Sequence, residues 1–236
     1  MRIPEGIIFD LGNTLIEREY YAPIDGIARI LEFSSSEVKK NVSDIQKIAD
    51  EINDSLDGLR DHYNIEINCQ EFHKMLYDKM DILFTINPFQ LEIEYHNYST
   101  KYRILDGVLE LLEFLKNKNI KLGILSNSIF SRETFTISLK KLKIVKYFSF
   151  VITSADYGLR KPHHLLFDMA IEKMNLPREE IWYIGDNPET DIIGAANSNL
   201  FSVWFNRQKI KRTLNVNHIE IQNWNELKSI IEPDFI

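Results

Sequence analysis

The sequence predicts an α/β protein: a doubly wound, Rossmann-like parallel sheet with a smaller, mainly helical domain. Three observations point there. An apolar run at residues 6–11 (GIIFDL) reads as one buried strand, the apolar spacing from about residue 22 to 85 is helical, and after residue 104 short apolar runs alternate with amphipathic stretches. The alternation is the mark of βαβ units whose parallel sheet is covered on both faces. The first strand is therefore separated from the rest of its sheet by a helical insertion.

In chain order, Val38, Val42, Ile45, Ile48, Ile52, Leu56, Leu59 and Tyr63 recur by threes and fours, which predicts one long amphipathic helix. Ser34 and Glu37 have capping-box spacing and predict its start. A second helix is expected from Gln70 to Leu83, with Asn68 ahead of it and Phe72, Met75, Leu76 and Leu83 toward one side. The segment INPFQ, with Pro88, is expected to end the helical block. Beyond residue 104 the reading is VLELLEFLKN helix, KLGILSN strand, RETFTISLKKLK helix and FSFVITS strand, then HHLLFDMAIEKMN helix, IWYIGD strand, ETDIIGAANSN helix and FSVWF strand. Residues 1–16 and 99–236 are thus expected to form the α/β core, and 17–98 the inserted domain.

A chain of 236 residues, 44% hydrophobic and 27% charged, has room for one full core and a smaller appendage. Its 28 Lys and Arg against 35 Asp and Glu argue against nucleic acid as a partner. Cys69 is the single cysteine, so no intrachain disulfide forms, and the N-terminal apolar run is cut short by Asp10, unlike a signal peptide. A cytoplasmic protein that neither spans nor binds a membrane, monomeric or homodimeric, is the expectation.

In such a sheet ligands bind at the carboxyl ends of the strands. Asp10, the Ser126–Asn127 pair, Lys161 and Asp186 each follow a strand end. Their convergence would bring a carboxylate nucleophile, a hydroxyl and an amide, an ammonium and a second carboxylate into one pocket. Taken singly each has a plainer explanation: a strand-end acid capping a turn, ordinary turn residues at Asn13 and Asn187, a solvated loop lysine, a helix-capping serine. Their occurrence together and in order favours the site. His163 and His164 read as a helix start whose nearness to Lys161 makes them candidates for substrate contact. Tyr95, His96, Tyr98 and Tyr102 read as hinge packing, and Cys69, with no positive neighbour, as inert.

FDLGNTL, LGILSNS, GLRKP and YIGDNPETD, in that order and spacing, resemble the four motifs of the haloacid dehalogenase-like hydrolases, which are mostly phosphatases. The resemblance covers residues 6–17 and 104–206, and the insertion is similar to the helical cap this family places after its first motif. It implies a small phosphorylated metabolite as substrate, Asp10 as the nucleophile forming an aspartyl-phosphate, and Mg2+ held by Asp10, Asp186 and the Gly12 carbonyl. Lys161 and the Ser126 hydroxyl would hold the phosphoryl oxygens, with Asn127, Gly12 and Asn13 also at the substrate. Asp191 would orient a metal-bound water or Lys161.

One position departs from the pattern. Phosphatases of this family usually carry Asp two residues after the nucleophile, as the acid that protonates the leaving oxygen; here that residue is Gly12. General acid–base catalysis is worth roughly 10²- to 10⁴-fold, so Glu17, Glu19 or a cap residue is expected to substitute, or leaving groups to be restricted. The family's dehalogenases also lack that acid, which keeps a metal-independent 2-haloacid dehalogenase open as an alternative, with a non-catalytic phosphate-binding protein behind it. The acidic GDNPETD segment favours the phosphatase, because only a cation makes its carboxylates useful beside Asp10.

Overall fold

The computed structural model describes residues 3–232. The outermost positions of the expected core, 1–2 and 233–236, lie outside the described residues. Six parallel strands form the main sheet: β1 (Gly6–Phe9), β4 (Lys121–Ser126), β5 (Phe150–Thr153), β6 (Ile181–Gly185), β7 (Phe201–Phe205) and β8 (His218–Ile221). Their order is β5-β4-β1-β6-β7-β8, with Ile8 in register with Gly123 on one side and Tyr183 on the other. The chain crosses over on both sides of β1, so the strand carrying the first motif stands at the switch point where α/β sheets bind ligands.

Strands buried on both faces must be apolar throughout. Ile7 and Phe9 face a cluster closed by α5 (Val108–Asn117), α6 (Arg132–Lys141) and α9 (Trp224–Ile231). Ile8 and Tyr183 face a second cluster under α7 (His164–Met174) and α8 (Gly194–Asn197).

Between β1 and the rest of the sheet lie α1 (Pro23–Leu31), α2 (Val42–Tyr63), α3 (Cys69–Asp78) and α4 (Pro88–Ser99). They have their own apolar cluster, built on Ile27, Ile30, Ile45, Leu76 and Leu91. Entry and exit run through an antiparallel ribbon, β2 (Ile16–Tyr21) with β3 (Thr100–Ile104), that the sequence reading did not anticipate.

The helix boundaries differ from expectation in instructive ways. The long helix begins at Val42, capped by Asn41 Oδ1, which accepts from Asp44 N at 2.9 Å. Ser34 is no cap: its hydroxyl donates to Ser36 O at 2.8 Å and lies 3.3 Å from Leu83 O, and Val38 packs from outside the helix. α3 stops at Asp78, leaving Leu83 exposed beyond it. Pro88 starts a helix rather than ending the block, because at the first helical position its missing N–H leaves no bond unmade. An Asn87–Gln90 capping box completes that start.

The expected helix 189–199 divides into a π-helical turn, Pro188–Ile193, and the short α8. Tyr95 packs edge-on against His73, and His96 against Phe130 and Tyr102, while Tyr98 is half exposed under the Arg29 guanidinium. Among the described residues no helix is long and apolar enough to cross a membrane.

Candidate active site

The strand ends meet at Lys161. Its ammonium is almost wholly buried and donates to Asp10 Oδ1 at 2.7 Å, Asp191 Oδ1 at 2.6 Å and the Tyr183 hydroxyl at 2.8 Å. Burial alone would depress the Lys161 pKa, but the two carboxylates together outweigh it and hold the side chain charged. Its backbone is fixed as well. Asn127 Oδ1 accepts from Lys161 N at 2.7 Å, and Asn127 Nδ2 donates to Lys161 O at 3.1 Å. The Asn127 amide, expected at the substrate, is thus committed to positioning the lysine loop.

Asp10 leaves β1 with its N–H on Ile184 O, and its Oδ2 accepts from Thr14 Oγ1 at 3.2 Å. Asp191, inside the π-helical turn, accepts from Tyr183 at 3.0 Å and from Asn187 N at 3.0 Å. A Cβ at position 185 would fall 2.4 Å from the Asp191 carboxylate, so glycine is what lets this acid fold back against β6. Asp186 completes the group: Asp10, Asp186 and Asp191 each bring a carboxylate oxygen within 4.8 Å of the others.

Burial is the first cause that raises Asp10, to about 6; Lys161 opposes it and Asp191 adds to it. Burial, then repulsion from Asp10 and Asp191, raises Asp186 to about 7. One buried lysine does not offset this acidity. Hard oxygen donors crowded in this way suit a divalent cation.

The cluster lies at the end of a cavity of about 580 Å³ that opens between core and insertion. Gly12, Asn13, Ser126, Asn127, Asp186 and Asp191 all line it, so the sequence-predicted site residues come together. The Ser126 hydroxyl makes one long bond, 3.5 Å to Asn127 O, and remains available to a ligand. His163 and His164 do not line the cavity: His163 caps α7 and His164 pairs with Asp168.

Nor does Glu17, which Arg207 and Arg103 hold in ion pairs that lower its pKa, or Glu19. Among the described residues the cavity therefore has no carboxylic acid beyond the three aspartates, and neither Glu17 nor Glu19 lines it. Burial drives the Cys69 thiol far up, in keeping with an inert residue.

Three contributors escaped the sequence reading. Thr14 and Tyr183 complete the hydrogen bonds of Asp10, Asp191 and Lys161. A tyrosine in the otherwise apolar strand IWYIG was the available signal, since a buried phenol needs a partner. Glu66, buried in the insertion, accepts from Arg160 Nη1 at 2.6 Å and Ser154 Oγ at 2.7 Å, pinning the insertion to the loop carrying Lys161. Nothing in the local spacing marks it. Tyr183→Phe is expected to lower kcat about 3- to 10-fold, since one net hydrogen bond is worth about 1 kcal/mol, and Tm by about 2–4 °C. Steady-state kinetics and thermal melts check both, and an unchanged kcat would show that the phenol is only packing.

A family model described as haloacid dehalogenase-like hydrolase matches residues 7–205. Over 103 residues the chain is 31% identical to pyrimidine 5'-nucleotidase YjjG of Escherichia coli (strain K12), covering 43% of this chain and 44% of that protein. It is 33% identical over 129 residues to pyrophosphatase PpaX of Oceanobacillus iheyensis (55% and 58% covered). It is 25% identical over 209 residues to glyceraldehyde 3-phosphate phosphatase of Methanocaldococcus jannaschii (88% and 87%). The chain spans about half the length of the first two of these relatives.

Among solved structures, Bacillus subtilis YfnB bound to magnesium superposes with TM-score 0.63 at 19% identity, covering 98% of this chain and 100% of that one. A 2-haloacid dehalogenase from Pseudomonas syringae pv. Tomato DC3000 superposes with TM-score 0.66 at 18% identity (96% and 97%). These two share the fold. The family model runs from β1 through β7 and takes in every loop that meets at Lys161, and on that span the chain belongs to the haloacid dehalogenase-like hydrolases.

Proposed function

We propose that the protein hydrolyses small phosphomonoesters with magnesium, through an aspartyl-phosphate on Asp10. The observation that carries this is the trio Asp10, Asp186 and Asp191, gathered about Lys161 at the end of the cavity. A haloacid dehalogenase has no use for so many buried like charges, whereas a phosphatase holding a cation does. The relatives are named as a phosphatase, a pyrophosphatase and a nucleotidase, which supports the same reading.

The donor set fits magnesium: Asp10, Asp186 and the Gly12 carbonyl would hold it, with Asp191 behind them. Bound there, the ion would neutralise phosphoryl charge as a Lewis acid. The residues do the rest. Asp10 attacks phosphorus as the bond to the leaving oxygen breaks, and water then attacks the same phosphorus and releases the carboxylate. Lys161 and Ser126 hold the phosphoryl oxygens, while Asn127, Tyr183 and Asp191 keep the ammonium in place; the Asn13 N–H, expected at the substrate, is instead taken by Ile16 O at 2.7 Å, so Asn13 only lines the cavity. The helical insertion acts as the cap, closing over the leaving group and excluding water.

The test offers a panel of phosphomonoesters and a 2-haloacid with magnesium or excess chelator. Phosphate release that needs magnesium is expected; chloride release without metal would replace the phosphatase by the dehalogenase. Thermal melts give a second readout. Asp10 and Asp186 have folded pKa values of about 6 and about 7 against an ordinary 3.8. The folded protein thus binds these protons more tightly than the unfolded chain, and metal-free stability falls as pH rises from about 4 through 7. Magnesium binds the ionised form, so its gain in Tm is expected to be larger at pH 8 than at pH 5. Equal gains at both, or none, would count against the metal site.

A further inference from the structure

The cations lining the cavity are not equally engaged. Lys161 is taken up by Asp10 and Asp191, and Arg160 by Glu66. Arg18 and Arg60 are different. Arg18, on β2, lies over the Tyr21 ring at 4.7 Å and has no ion pair among the described residues. Arg60, near the end of α2, donates through Nη1 to Asn53 at 2.7 Å and Asp57 at 3.3 Å, yet its Nε is buried with no acceptor.

Both arginines bear on one phenol, Tyr21, which lines the cavity with them. Partial burial raises the Tyr21 pKa, and the charges of Arg18 and Arg60 oppose that rise. Asp50 also acts on Tyr21, but it is exposed, accepts from Gln46 Nε2 at 2.7 Å and does not line this cavity. The cavity is therefore acidic where Asp10 stands and has under-used guanidinium donors on its ribbon and cap walls. With the phosphoryl group at Asp10 and Lys161, only the leaving group reaches those walls.

We infer that the substrate's leaving group carries a second anion, a carboxylate or a phosphate, held by Arg18 and Arg60. The inference rests on the phosphatase reading for the position of the first phosphoryl group. Guanidinium groups are matched to both anions in geometry as well as charge. An anion would give Arg18 its missing counter-charge and would meet Arg60 through the part of its guanidinium that lines the cavity. Asn53, which also lines the cavity, stands beside Arg60.

The experiment measures binding to the Asp10→Asn protein by calorimetry, so that turnover is not needed. Three probes with three-carbon alcohols are used: glycerol 3-phosphate (neutral leaving group), 3-phosphoglycerate (carboxylate) and 1,3-propanediol bisphosphate (phosphate). At least one charged probe is expected to bind about 10- to 100-fold tighter than glycerol 3-phosphate, the range for a hydrogen-bonded charge. Which probe it is identifies the anion. Added Arg18→Gln or Arg60→Gln should bring that ratio to within about 3-fold, with Arg60→Lys retaining part of it.

Equal binding of all three probes, no binding of any, or a ratio that survives in both arginine variants would overturn the inference. Phosphate release by the parent from all three esters without charge preference would overturn it and leave the phosphatase reading standing. Charge-selective binding with no magnesium-dependent release either from these esters or from an aryl phosphate would sustain the subsite and remove the phosphatase.

Discussion

Asp10→Asn is expected to abolish phosphate release, with kcat reduced by on the order of 10⁴-fold or more, the scale seen when a covalent nucleophile is removed. Asparagine keeps the shape and the bond from Lys161 Nζ through its Oδ1, but its amide is a poor nucleophile and a neutral metal ligand. Two functions fail together. Folding should survive, because ionising the buried Asp10 carboxylate weakens the metal-free native state near pH 8 and the variant has no such charge. Its metal-free Tm at pH 8 should therefore be no lower than the parent's, while its Tm gain from magnesium shrinks. Activity within tenfold of the parent, in protein whose melt confirms the fold, would remove Asp10 from the chemistry.

Asp10, Ser126 and Asp186 were legible in the sequence because each sits at the end of a short apolar run, and a parallel sheet sends such ends to one edge; Lys161, in the loop after β5, and Asp191, inside the π-helical turn, were legible through the ordered motifs that contain them. The helical insertion was legible from its 3.6-residue period, which survives without knowledge of its partners. What failed to show was set by tertiary contacts. Ser34 and Glu37 have the spacing of a cap, yet the Ser34 hydroxyl bonds Ser36 O at 2.8 Å and also faces Leu83 O, 49 residues away, at 3.3 Å. Pro88 is ambiguous in a sequence, since proline both ends helices and opens them, and the Asn87–Gln90 pair decides it here.

Side-chain commitment was equally hidden. Asn127 follows a motif serine and invites a role at the substrate, but the backbone of Lys161, 34 residues on, takes both ends of its amide. Glu66 reads as one more acid after a helix, and its pairing with Arg160 spans 94 residues. Nothing in the sequence singles out Arg18 or Arg60. Only the meeting of ribbon and cap around one cavity puts them on the wall of the space that the aspartates also line.

Gly12→Asp is expected to raise kcat/KM for alkyl phosphates by up to ~10²-fold, the low end of the general-acid range, and to change aryl or acyl phosphates little. Among the described residues the parent's cavity has no carboxylic acid besides the three aspartates: Glu17 is held by Arg103 and Arg207, Glu19 does not line it, and the cap contributes Asn53 and Arg60. A leaving oxygen must then carry negative charge as it departs, so rates in the parent should fall steeply as leaving-group pKa rises.

The substitution is sterically open. A Cβ at position 12 meets nothing within 4 Å, and the backbone there is not in the left-handed region. Aspartate at position 12 would stand at the cavity wall that Gly12 now forms, two residues from the nucleophile, and would supply the proton that alkoxides need. The measurement is kcat/KM across phosphomonoesters of graded leaving-group pKa, in parent and variant, with magnesium saturating. The slope should flatten in the variant. A parent already flat would mean that some other group delivers the proton, and a variant equally steep would mean that the new carboxyl fails to reach the leaving oxygen.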